Sequence, residues 1–357
     1  MIPTGTNYHY QLGSHFIVGL EGTVLTVAEA SLLSQLRPLG IILFSHNIDR
    51  ASPCWPEKLR RLIQDAKLAA HRSDFIVSID HEGGKVHRLC PPITHFPAAW
   101  DWNSDSAEVG KCIGTELHAL GININFAPVL DIFLEPSNQV IGKRALADNP
   151  ERVAELSIAY IRGQESAGVV ACGKHFPGHG ATIKDSHFEL PVLELSLDTL
   201  RQRELIPFRR AIDAGLSLMM TAHVMFPQLD PKFPVTLSKK IITELLRNEL
   251  GFSGCVISDA LEMKALSGFS DNMIPKCAME AGVDILLVAK PEVSPPVLRA
   301  IEIAQALNQV DSNQLAASKE RIDRFMAHLS KIVLNAEPAQ KVFPYRNALL
   351  ERLSSRG

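Results

Sequence analysis

The sequence predicts a single-domain α/β chain folded as a (β/α)8 TIM-type barrel. Three observations predict it: eight short apolar runs rich in β-branched residues, helically spaced segments between them, and polar residues gathered where the runs end. The runs are FIVGL at 16–20, GIILF at 40–44, FIVSID at 75–80, ININFAP at 122–128, VVACGK at 169–174, LSLMMTAH at 216–223, GCVISDA at 254–260 and VDILLVA at 283–289. Candidate helices fall near 27–37, 56–71, 106–120, 150–167, 198–214, 238–250, 272–281 and 294–309.

A doubly wound open sheet would carry a Gly-rich phosphate loop after its first strand, and none follows residues 16–20. Gly178 and Gly180 form a GxG, but ATIKD follows without the third glycine of a dinucleotide fingerprint. The barrel is assigned residues 1–335. After about residue 310 an amphipathic helix leads into a polar segment, and 336–357 is read as a C-terminal tail or helix packed on or trailing the barrel.

The charge balance narrows the function. With 36 basic and 39 acidic residues the formal net charge is -3, so no basic field exists to gather nucleic acid or an anionic membrane. No apolar stretch reaches the roughly 18 residues of a membrane span. The N-terminal MIPTGTNYHYQLG has neither a basic n-region nor an apolar h-region, and a cytoplasmic monomer acting on a small neutral or mildly charged substrate is expected. Cys54, Cys90, Cys112, Cys172, Cys255 and Cys277 lie far apart without a CxxC pair and read as reduced, buried thiols.

In a βα barrel the catalytic groups stand where strands end. Here those positions carry Asp80-His81-Glu82-Gly83-Gly84, Asp131, Lys174-His175, His223 and Asp259. A carboxylate at such a point can cap the following helix, but Asp259, at the end of CVIS, is read as a nucleophile. The segment KHFPGHGATIKDSHFELP at 174–191 is too polar for core and too rich in turn formers for a helix, which predicts a long loop over the mouth. His175, His179, Asp185 and His187 also have the residue types of a zinc site, yet no HxH stands at the first strand, and no metal is assigned. His179 is read as holding the loop together.

KHFPGHG followed by DSH resembles the signature of glycoside hydrolase family 3, in particular its β-N-acetylglucosaminidases. DHEGGKVHR at 80–88, APVLD at 127–131, IGKR at 141–144, GKHFPGHG at 173–180, DSH at 185–187, AHV at 222–224 and SDALEM at 258–263 appear in the family's order. The resemblance implies that Asp259 is the nucleophile and that His187, oriented by Asp185, is the general acid and base. It implies substrate contacts from Asp80, Arg88, Arg144, Lys174 and His175, with neither metal nor organic cofactor. It also implies a terminal β-linked N-acetylglucosamine as substrate, carried on an anhydro-muropeptide from cell-wall recycling.

The chemistry agrees with that assignment, because a retaining glycosidase needs a nucleophile on one face and a group on the other that first donates and then removes a proton. An imidazole with an unperturbed pKa near 6.5 does both. Leu146 stands where relatives often have an aromatic, and Ala260 where a second aspartate is common. Gly178 and Gly180 make the loop mobile on this reading, so that His187 enters the site only when substrate binds. Two alternatives remain: release of the sugar to phosphate on the same fold, and a non-catalytic sugar-binding barrel.

Overall fold

The computed structural model describes residues 12–182, 189–290, 294–336 and 343–354. Nine strands appear: β1 (Phe16–Gly19), β2 (Gly40–Leu43), β3 (Ile76–Ile79), β4 (Ile124–Asn125), β5 (Val170–Ala171), β6 (Gly173–Phe176), β7 (Leu218–Thr221), β8 (Cys255–Ala260) and β9 (Ile285–Val288). Their order in the sheet is β5-β4-β3-β2-β1-β9-β8-β7-β6, with every ladder parallel. Only Cys172 separates β5 from β6, so one continuous run pairs with β4 through its first half and β7 through its second. That run closes the sheet into a barrel of eight chain passes, each matching one of the eight apolar runs.

Strand periodicity sorts the side chains into two layers. Ile17, Cys172, Leu218, Met220, Cys255, Ile257, Ile285 and Leu287 share the interior cluster. Their neighbours Phe16, Val18, Ala171, Met219, Val256, Leu286 and Val288 pack outward beneath the helices. The same alternation runs to the strand ends. Ile76, Cys172 and Ile257 are interior residues, so Asp80, Lys174 and Asp259, at even spacing beyond them, emerge on the inward side of the mouth.

The helices are α1 (Val27–Leu36), α2 (Trp55–Ala69), α3 (Ser106–Ala119), α4 (Pro150–Ser166), α5 (Leu197–Gln202), α6 (Leu205–Asp213), a π-wound α7 (Lys240–Glu249), α8 (Met273–Ala281), α9 (Pro296–Ala306), α10 (Ser312–Leu334) and α11 (Phe343–Ser354). Local signals place their starts: Asn149 caps α4 by accepting from Glu151 N and Arg152 N ahead of Pro150, and Asp311 caps α10 through Asn313 N and Gln314 N. The helix expected at 198–214 is two, broken at Arg203. Pro207 explains the break, since it has no N–H to give the carbonyl four residues earlier.

Ile322, Phe325, Met326 and Leu329 of α10 join the interior cluster and plug the end where the strands begin. Asp284, just before β9, is fully buried there against Arg247 (2.7 Å) and Arg321 (2.8 Å). In the segment expected to be a tail or helix, α11 buries Leu349 and Leu353 and brings Arg346 to 3.3 Å from Glu116. All six cysteines are unpaired, but only Cys112, Cys172 and Cys255 are buried; Cys90 and Cys277 are half-buried, and Cys54 is exposed at the start of α2. Among the described residues no helix is long and apolar enough to cross a membrane.

Candidate active site

With the strand starts plugged, the mouth at the strand ends is where chemistry is open to solvent. A cavity of about 140 Å³ is lined there by Asp80, Glu82, Arg88, Arg144, Lys174, His175, His179, Met220 and Asp259, among others. A second, of about 260 Å³, shares Asp80, Arg88, Met220 and Asp259 with the first and extends past Ala260, Glu262, Lys264 and Lys290. Six residues expected at the site from the sequence, Asp80, Arg88, Arg144, Lys174, His175 and Asp259, thus converge on one wall. Asp185 and His187 lie outside the described residues.

The inner cavity is built on ion pairs. Lys174 Nζ donates to Asp80 Oδ1 (2.7 Å) and sits 2.6 Å from Glu82 Oε1, while Arg144 forks onto Glu82 through Nε (2.7 Å) and Nη2 (2.8 Å). Arg144 Nη1 donates to Val140 O (2.9 Å). Burial by itself raises the Glu82 carboxyl, but Arg144 and Lys174 hold it well below the ordinary carboxylate range. Burial likewise acts to lower Lys174, and Asp80 and Glu82 more than reverse it, so the ammonium stays charged at 2% exposure. Glu82, named in the sequence only as part of its motif, is the hub of this cluster. Its two cations lie 62 and 92 positions further along the chain, which local spacing cannot reveal.

A second buried hub is Asp131, which accepts from His175 N (3.2 Å), His175 Nδ1 (2.7 Å) and His179 N (2.7 Å). Burial raises the Asp131 carboxyl, and His175 leads the contacts that carry it below its ordinary value. With Nδ1 committed to this carboxylate, the His175 ring has Nε2 left for a ligand. His179 holds Thr182 Oγ1 at 2.6 Å, and Asn138 donates to His179 O (3.0 Å) and Gly180 O (3.2 Å).

These contacts correct the expectation that residues 174–191 form a polar loop from their first residue. Lys174, His175 and Phe176 belong to β6, and Lys174, His175 and His179 are buried at 2%, 7% and 2% exposure. The Lys174 ammonium, His175 Nδ1 and His179 Nδ1 find partners inside the protein, which lets a polar sequence occupy core. Gly180 is present for space: a Cβ there would stand 1.8 Å from Ile132 O.

Asp259 ends β8, and one carboxylate oxygen accepts from Ala260 N (2.8 Å). Burial raises this carboxyl, and His223, His175, the Ala260 amide and Lys174 together bring it below its usual value. It is therefore ionised at neutral pH, with its second oxygen unpartnered among the described residues. His223 is fixed by Thr236 Oγ1 (2.8 Å) at Nδ1 and by Ala260 O (3.0 Å) at Nε2, and so braces the backbone beside the nucleophile. Arg88 Nε is buried without a hydrogen-bond partner among the described residues, an unused donor in the wall common to both cavities.

His87 stacks on His95 with ring centroids 4.2 Å apart, and His81 lies tilted against His87 at 4.4 Å. Burial, with the neighbouring rings adding to it, pushes His81 down to about 3 and His87 to about 4, so both rings are neutral at physiological pH.

A parallel barrel whose mouth presents an ionised carboxylate beside fixed donors and acceptors defines a hydrolase-type site for a polyhydroxylated ligand. The model of the glycosyl hydrolase family 3 N-terminal domain matches residues 17–332, and the chain belongs to that family of glycoside hydrolases. It is 41% identical over 298 residues to a β-hexosaminidase of Alkalilimnicola ehrlichii, covering 79% of this chain and 83% of that one. A β-hexosaminidase of Chromobacterium violaceum is 35% identical over 325 residues, covering 86% and 89%. Among solved structures, a family 3 β-N-acetylglucosaminidase from Paenibacillus sp. superposes with a TM-score of 0.85 at 34% identity, over 98% of this chain and 68% of that one. NagZ of Neisseria gonorrhoeae, in complex with N-trifluoroacetyl-D-glucosamine, gives 0.74 at 31% identity, over 91% and 98%.

Proposed function

We propose that the chain is a retaining exo-β-N-acetylglucosaminidase that removes terminal, non-reducing β-linked N-acetylglucosamine through a covalent glycosyl–Asp259 intermediate. The observation that carries the reading is Asp259 itself: an ionised carboxylate with a free oxygen, in the wall of a polar cavity shared with Asp80, Arg88 and Lys174. The named relatives and solved neighbours support the N-acetylated hexosamine as substrate.

On this reading Asp259 attacks the anomeric carbon while His187, oriented by Asp185, donates a proton to the leaving oxygen. The same imidazole then takes a proton from the water that releases the sugar. Glu82 does not serve as the acid, because Arg144 and Lys174 keep it ionised. Lys174 and Asp80 position hydroxyls, His175 offers Nε2, and the idle Arg88 donor takes a hydroxyl or acetamido oxygen. Arg144, with every nitrogen engaged, acts by holding Glu82. The proposed natural substrates are anhydro-muropeptides from peptidoglycan, and six unpaired cysteines suit the reducing cytoplasm where such fragments are recycled.

The test is turnover of an aryl β-N-acetylglucosaminide beside the corresponding β-glucoside, by wild type and His187→Ala, with chelator and without phosphate. Cleavage of the N-acetyl sugar alone and a large loss in the variant are expected. Dominant release of sugar 1-phosphate on adding phosphate would replace hydrolysis with phosphorolysis. Binding without turnover would leave a sugar-binding barrel.

A further inference from the structure

The strand that carries Asp259 loses its regular backbone ladder where the nucleophile stands. Toward β7, β8 pairs Cys255 with Leu218, Val256 with Met219 and Ile257 with Met220, and among the described residues the ladder ends there. Toward β9 the register moves from Ile257–Ile285 to Ala260–Leu287, so β8 advances three residues while β9 advances two. The extra residue makes a bulge that contains Ser258 and Asp259, and a bulge leaves the residues within it without their ladder bonds. Asp259 therefore stands at a point that strand pairing does not fix.

Side chains supply what the backbone lacks. Just before Asp259, buried Ser258 accepts from Leu287 N at Oγ (3.0 Å). Just after it, Leu261 N donates to Leu287 O (3.0 Å), and Glu262 Oε1 accepts from Ala289 N (2.9 Å) and Lys290 N. Two side chains that bracket the nucleophile thus hold the amides at the end of β9. The other oxygen of Glu262 is buried and has no partner among the described residues. Burial raises the Glu262 carboxyl above its ordinary value, against the pull of the Lys290 and Ala289 amides. The clasp therefore calls for an acceptor oxygen at the right reach, and burial works against its charge.

We propose that Ser258 and Glu262 are positioning residues that aim Asp259 at the anomeric carbon, their side chains replacing the ladder bonds that the bulge removes. The inference rests on the glycosidase reading, in which Asp259 attacks. The attacking oxygen must approach along a narrow path, and a misplacement of about 1 Å costs on the order of a hundred-fold in rate. Ties on both flanks fix the backbone of Asp259 without engaging that oxygen. The Ala260 amide, bound to the other oxygen, then sets the rotation of the carboxylate.

The experiment measures kcat, KM and the pre-steady-state rate of labelling at Asp259, using an aryl β-N-acetylglucosaminide with an activated leaving group. Glu262→Gln keeps an acceptor oxygen at full reach and loses the charge, whereas Glu262→Asp keeps the charge and falls one methylene short. Glu262→Asp and Glu262→Ala should lower kcat and the labelling rate about a hundred-fold, and Ser258→Ala about ten-fold, with KM within about two-fold of wild type. Glu262→Gln should retain about a third of the wild-type kcat. Melting temperatures are taken alongside, so that rates are compared per folded molecule. Near-wild-type kcat in Glu262→Asp, Glu262→Ala and Ser258→Ala, whatever their melting temperatures, leaves a structural role alone and overturns the inference. Loss in Glu262→Gln with full rate in Glu262→Asp makes the effect one of charge and overturns it as well. No turnover by wild type removes the glycosidase reading, and the inference with it.

Discussion

The two halves of the barrel mouth are built on opposite plans. On the β3 and β6 side, Asp80, Glu82, Arg144, Lys174, Asp131 and His175 form a buried lattice in which almost every polar atom is spoken for. On the β8 and β9 side, among the described residues, Asp259 keeps an oxygen without a partner, as does buried Glu262, and Lys264 and Lys290 stand unmatched. The lattice resists movement, because each member loses a charged partner if it shifts. The open side leaves its groups available for bonds that form during reaction. Rigid positioning and chemical availability are thus assigned to different strands of one sheet.

The sharpest way to break the comparison is on the open side. Asp259→Ala should lower kcat/KM on an aryl β-N-acetylglucosaminide by about four orders of magnitude, or about 5 kcal/mol of barrier, with little change in melting temperature. An equal loss of stability would show that Asp259 is also part of the lattice. Glu82→Gln should do the reverse in kind, since it leaves Arg144 buried without its carboxylate and Lys174 with Asp80 alone. A loss of about 3–5 kcal/mol in denaturant unfolding is expected, against near-native stability if the pairs are dispensable.

Asp131→Asn probes the second hub. It keeps a hydrogen-bonding group beside His175 but removes the charge that fixes the ring, and kcat/KM should fall about a hundred-fold at unchanged fold by circular dichroism. Wild-type rates in that variant would show that His175 is held by packing alone.

The smallest effect concerns the imidazole stack behind the lattice. His81 and His87 are held below their unfolded pKa near 6.5, to about 3 and about 4. The unfolded chain therefore binds more protons than the folded one in that interval, so stability is intact above pH 6.5 and falls as pH drops toward 4. His87→Gln should flatten this slope in melting temperature against pH, and an unchanged slope would assign the acid sensitivity elsewhere.

The sequence made the barrel legible because its strands are short, apolar and regularly spaced, and period two alone carries Asp80, Lys174 and Asp259 to one inward face. What it concealed depended on distant partners. Lys174 and His175 read as loop because their polarity is visible in the sequence, while the carboxylates that neutralise it lie 94 and 44 positions away. Glu82 was hidden for the same reason. Cys54 read as core from an apolar neighbourhood, yet it precedes α2 at the surface, where helical phase and not composition decides exposure. The close approach of Ile132 O that Gly180 accommodates was likewise not visible in the sequence, where the glycine stands 48 positions from its neighbour.

The measurement that bears most directly on the central claim is mass spectrometry of the wild-type enzyme, acid-quenched during turnover of an N-acetylglucosaminide with a highly activated leaving group. One N-acetylglucosaminyl residue esterified to the peptide that contains Asp259, with the released sugar retaining its β configuration, is the predicted result. An inverted product with no adduct, or an adduct on a different carboxylate, would contradict the account.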